Sequence, residues 1–140
     1  MEGPAQHALD ALHEPTARAV AERLLRGAAE VTTAPDNPSG GCLIVQGALV
    51  AGGQGAVARE ELAARRRAGE DRLRERFERA EAEGELPAGT DAGDLARYIA
   101  MVSYGISVQA AGGAGREELH RVVDIALNAW PRHATGAPAP

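Results

Sequence analysis

Lysine is absent from this sequence. All 15 cations are arginine, and against 20 carboxylates they leave a formal charge of −5. The absence excludes a P-loop, which needs a lysine on the phosphates. The acidic balance argues against a nucleic-acid groove as the main surface of the chain. Cysteine occurs once, at Cys42, which rules out an intramolecular disulfide and a cysteine-based zinc site and fits a reducing, cytoplasmic compartment. Aromatics are scarce: Phe77, Tyr98, Tyr104 and Trp130 stand against 17 glycines. An aromatic-rich β-sandwich is therefore disfavoured, and closely packed helices with small contact residues are expected. Long apolar runs are also missing. The longest, Cys42 to Ala51, is about half of a membrane span, and the start of the chain has neither the basic flank nor the apolar stretch of a secretory signal. A soluble protein with no membrane partner is expected.

What is present suits one globular domain: 140 residues, 44% hydrophobic and 25% charged. Pro4 to Leu12 reads as a short helix with Ala5, Ala8, Leu9 and Leu12 on one stripe. Pro15 marks a restart, being suited to a first helical position, and the helix it opens runs to about Val31. Its apolar side carries Ala17, Val20, Ala21, Leu24, Leu25, Ala28 and Val31. Thr32 to Gly41 is a loop by its turn residues. The Cys42 to Ala51 run is apolar all round except for Gln46, and periodicity leaves buried strand and buried helix both open. Val57 to Glu83 is a long charged helix with Leu62, Leu73, Phe77 and Ala80 inward, ended by Gly84 and Pro87. Thr90 and Asp91 are candidate caps for a helix reaching Ala111.

That helix carries two apolar lines. Leu95, Ile99, Val102 and Ile106 form one, and Tyr98, Met101, Gly105 and Val108 form the other, so it should be sandwiched between two layers. The last helix, Arg116 to Trp130, repeats the three-four spacing with Leu119, Val122, Val123, Ala126, Leu127 and Trp130, widened by Ile125 and Ala129. It too has more apolar surface than one contact needs. Residues 131–140 read as a disordered tail rich in proline, alanine and glycine.

Several motifs suggest chemistry and fail on physical grounds. Gly53-Gln54-Gly55-Ala56-Val57-Ala58 matches G-x-G-x-x-A, but a dinucleotide site needs a second parallel strand carrying an acidic residue about 20 residues on. Here a charged helix occupies that place. Glu117-x-x-His120, with Asp124 a turn further on, is half of a carboxylate-bridged metal motif whose other half is missing. A small helical metal-binding protein or enzyme using Glu117, His120 and Asp124 is the alternative reading. Ser103, Ser107 and Cys42 lie in apolar surroundings with no histidine nearby in sequence. No catalytic residue, metal or cofactor is assigned, and the chain is not expected to be an enzyme. The remaining polar and soft groups set among apolar ones, Cys42, Gln46, Phe77, Tyr98, Met101 and Ser103, are the candidate lining of a pocket for a mostly apolar small molecule. Tyr104 and Ser107 belong to the same mixture.

In their order, Gly41-Cys42-Leu43-Ile44-Val45, Ala82-Glu83-Gly84-Glu85-Leu86-Pro87, Asp91 with Leu95-Ala96, Gly105 and the closing Leu119/Val122/Ala126/Leu127 helix resemble the C-terminal regulatory domain of TetR/AcrR-type transcriptional regulators. The resemblance covers about Pro15 to Trp130. It implies an all-α bundle of about six helices, with the Cys42 run as one of them. It also implies an effector pocket among the central helices and a homodimer formed by the last two helices of each copy. Residues 1–130 are then expected to be the effector-binding and dimerisation domain of a repressor-type regulator, truncated at its N-terminal edge. The basic helix-turn-helix of such regulators would precede Met1, so this chain alone is not expected to bind nucleic acid; operator DNA would be the partner of a full-length parent. The expected dimer seam is Ile106, Leu119, Val122, Val123, Ala126, Leu127 and Trp130, with Val123→Arg splitting the pair.

Overall fold

The computed structural model describes residues 4–37 and 55–134. These form five helices and no strand: α1 (Pro4–Ala11), α2 (Ala17–Thr32), α3 (Ala56–Ala82), α4 (Ala92–Ala111) and α5 (Arg116–Asn128). The expected helix from Cys42 to Ala51 lies outside the described residues, as do the last six residues of the expected tail.

Small residues explain the central place of α2. Ala17, Ala21, Ala28 and Ala29 are buried along it beside Val20 and Leu25, and their short side chains let neighbouring backbones come close. As a result α2 packs against all four of the other described helices, while α4 also packs against α3 and α5. Thr16 opens α2: its backbone is extended, and its hydroxyl accepts from the Ala19 N–H at 3.1 Å. Pro15 therefore stands just outside the helix, not at its first position. Gly27 meets the ring of His7 so closely that a Cβ there would overlap the imidazole, which seats α1 on α2.

The charged helix α3 buries only Leu73, Arg76, Phe77 and Ala80, all in its second half. It ends in a Schellman turn. Gly84 has a φ of +80°, the Glu85 N–H donates to the Ala80 carbonyl at 2.9 Å, and the Gly84 N–H donates to the Glu81 carbonyl at 3.1 Å. Leu86 is buried immediately afterwards. Asp91 caps α4 by accepting from the Asp94 N–H at 2.8 Å. The Glu118 side chain accepts from the Gly115 N–H at 3.3 Å at the start of α5. Beyond α5, Trp130 packs edge-on to Phe77, with ring centroids 5.6 Å apart and an interplanar angle of 82°.

One buried polar cluster joins these parts. The Arg76 side chain is 5% exposed and its Nη1 lies 3.7 Å from Glu85 Oε2, while its Nη2 donates to the Glu14 carbonyl at 3.1 Å. Glu85 Oε1 accepts from the Ala17 N–H at 2.9 Å, satisfying a donor that the first turn of α2 leaves open. Arg76 Nε and Nη1 and Glu85 Oε2 make no hydrogen bond, so each charge depends on the other for compensation. Removing one partner strands a buried charge, so Glu85→Ala should lower the unfolding free energy by about 3 kcal/mol, read by urea denaturation. Gly84→Ala should cost about 1 kcal/mol in the same assay, because alanine resists the left-handed conformation.

Candidate functional site

The sparse burial of the first half of α3 leaves space between it and the rest of the bundle. A cavity of about 410 Å³ lies there, walled by α1, α2, α3 and α4. That size falls in the range of small-molecule sites. Leu9 and Leu12, then Val20, Leu24, Ala28 and Val31 of α2, form most of its apolar surface, completed by Leu73 of α3 and Ala100 of α4. The three-four spacing that makes α2 amphipathic also presents Leu24 and Val31, both half-buried, to this space.

Polar groups enter at two places. Thr32, Ser103, Tyr104 and Ser107 bring hydroxyls, and Arg65, Arg66, Glu70 and Arg72 bring charges from α3; His7 of α1 also lines the wall. Thr32 donates to the Ala28 carbonyl at 2.6 Å, Ser107 to the Ser103 carbonyl at 3.4 Å, and Tyr104 to the Arg66 carbonyl at 3.5 Å.

Of the expected pocket residues, Ser103 is on the cavity wall. Phe77 is not: it is fully buried in the core, held against Trp130. Tyr98 and Met101 are on the other side of α4, 39% and 64% exposed. At 100° per residue, Met101 is about 200° round the helix from Ser103, so the two cannot line one space. Cys42 and Gln46 lie outside the described residues. Tyr104 and Ser107 do reach the wall; spacing of one and four residues from Ser103 is the signal that groups them.

The expected seam divides in the same way. Ile106, Leu119, Val123, Ala126, Leu127 and Trp130 are buried within their own chain, because this side of α4 and α5 faces α2 and the core. Val122 alone of that set is open, at 45% exposure. Among the described residues Val57 of α3 is exposed, and the large apolar residues left uncovered on α4 and α5 are Tyr98, Met101 and Val108 on α4 with Val122 and Ile125 on α5. They follow the second line that the sequence showed on α4, with Gly105 in its middle, where a Cβ would meet nothing within 4 Å.

Glu117, His120 and Asp124 do not gather into a ligand set. Arg26 of α2 stands among them, its Nη2 donating to Asp124 at 2.8 Å and its Nη1 donating to His120 Nδ1 at 3.4 Å, while Glu117 is exposed. Hydrogen bonds to Asp124 and then Glu22 hold the Arg26 guanidinium above its usual pKa, so a fixed positive charge occupies the place a metal ion would need. Among the described residues no group of three or more His, Cys, Asp or Glu side chains could hold a metal. No helix among them is long and apolar enough to cross a membrane.

Comparison with known proteins agrees with this architecture. Residues 18–125 match the family described as "Tetracyclin repressor-like, C-terminal domain". Among solved structures, a cysteine mutant of the TetR family transcriptional regulator CifR, complexed with 26-base-pair double-strand operator DNA, superposes with a TM-score of 0.82 at 38% identity. The match covers 91% of this chain and 66% of that one. A putative TetR transcriptional regulator from Rhodococcus sp. RHA1 superposes with a TM-score of 0.75 at 39% identity, over 90% of this chain and 66% of that one. The chain thus spans slightly less than two thirds of the length of these relatives. No curated protein sequence matches. With the family match running over most of its length and these superpositions at 38% and 39% identity, the chain belongs to the tetracycline-repressor-like C-terminal domain family.

Proposed function

We propose that this chain is the effector-sensing and dimerisation part of a TetR-type transcriptional regulator, a cytoplasmic repressor whose DNA-binding part corresponds to the stretch of its relatives that the chain does not span. The observation that carries this reading is the division of α4 into two faces. Its inner face meets the core and, through Ala100, Ser103 and Ser107, a cavity sized for a small molecule. Its outer face is apolar and uncovered at Tyr98, Met101 and Val108.

The outer face, continued by Val122 and Ile125 of α5, supports a two-fold seam in which the same patch serves both copies. Gly105 would let the two α4 helices approach closely. One helix thereby touches both the guest and the partner, so a molecule that fits one arrangement of the pair better than another shifts the spacing of the attached DNA-binding parts. Such couplings are worth about 1 to 3 kcal/mol. Operator binding belongs to the full-length regulator, as in the CifR complex.

Sedimentation of the chain at micromolar concentration should return a dimer, and a monomer would count against the reading. Ile125→Arg, at a site 69% exposed, should convert the dimer to a monomer while circular dichroism shows the helices retained. Val123→Arg is expected to act differently. Its side chain is fully covered by its own chain, so a charge there should lower stability by more than about 3 kcal/mol and unfold the domain instead of parting the copies.

A further inference from the structure

The polar groups of the cavity are sorted by chemistry. Of the four hydroxyls on the wall, those of Thr32, Tyr104 and Ser107 have their protons engaged by backbone carbonyls and offer a guest mainly lone pairs, which leaves Ser103 as the neutral hydroxyl donor. The charged donors all come from α3. Arg65, Arg66 and Arg72 line the wall with Glu70 as its carboxylate, three positive charges against two negative once Glu61, the partner of Arg65, is counted, in a chain that is acidic as a whole, at −5. The sign of the wall is thus opposite to that of the molecule, which favours anionic guests at this place.

Local geometry strengthens the point. Arg65, Gly69 and Arg72 fall at i, i+4 and i+7, on one stripe of α3. A Cβ on Gly69 would meet nothing within 4 Å, so the helix backbone between the two arginines is open to the space in front of it. Arg65 is held by Glu61 at 2.9 Å, but the two side chains are 61% and 64% exposed. A pair that open to water is weak and yields readily to a ligand. An ammonium guest would face several guanidinium groups, whereas the arginine fork matches a carboxylate.

We propose that the occupant of this cavity is a carboxylic acid with an apolar body, its carboxylate on the Arg65–Gly69–Arg72 stripe of α3 and its body against the aliphatic wall of α2. This rests on reading the cavity as the effector site. Titration calorimetry of the chain with decanoate, decanol and decylammonium at low salt tests it. Decanoate should bind at least about tenfold more tightly than decanol, the ratio expected from one hydrogen bond to a charged group, and decylammonium should be weakest. Added salt should weaken decanoate and leave decanol unchanged. Arg65→Gln combined with Arg72→Gln should erase the preference for the acid and keep decanol within about twofold of its original affinity. Both side chains are exposed, so the melting temperature should hold; Arg72→Gln alone gives the same test with a smaller loss. Equal binding of acid and alcohol, or a preference that survives the double substitution, overturns the carboxylate assignment and leaves the effector cavity standing. Failure of all three probes to bind overturns both.

Discussion

The buried pairing of Arg76 with Glu85 is the constraint from which the rest of the bundle follows. It fastens the end of α3 to the start of α2, with Glu85 accepting from Ala17 and Arg76 donating to Glu14 in the preceding turn. The Schellman turn at Gly84 delivers Glu85 to that place. With one end of α3 pinned and its second half buried, its first half need not sink into the core. That half stands off as a wall, and the space it leaves is the cavity.

The same logic shows how much the sequence disclosed. The five described helices, the Gly84 stop, the Asp91 cap and the two apolar lines of α4 were legible, because each depends on local chemistry: left-handed backbone at glycine, a carboxylate reaching a free N–H, and a period of about 3.6 residues. Which line of α4 faced inward was not legible. Periodicity reports that a face is apolar without naming what covers it, so Tyr98 and Met101 could be assigned to a pocket and Val123 to a seam. The information missing from α4 itself is its contact with α2, distant in sequence, whose buried alanines let the two helices pack closely, with Leu95, Ile99 and Ile106 of α4 buried.

Arg76 was hidden for a different reason. It stands among Arg72, Arg74 and Arg79 on a helix whose charges mostly face water, and composition treats them alike. Spacing distinguishes it: Leu73, Phe77 and Ala80 define an inward stripe whose remaining position is 76. An arginine on the apolar stripe of an otherwise solvated helix is a signal of a buried partner. Likewise, Glu117, His120 and Asp124 resemble half a metal site when only their own helix is considered. Once α2 packs alongside, Arg26 claims two of them and the trio becomes an interhelical pin.

The edge-on contact between Phe77 and Trp130 equips the chain with an internal reporter. Trp130 is the sole indole in the sequence, and it is buried against α3 at the end of the fold remote in sequence from α1 and α2. Its ultraviolet emission therefore monitors one junction, where the segment after α5 closes over the base of α3. Neither residue lines the cavity, so a change in this emission when a guest enters the cavity points to movement of the helices, and intrinsic fluorescence can follow that rearrangement without any attached dye.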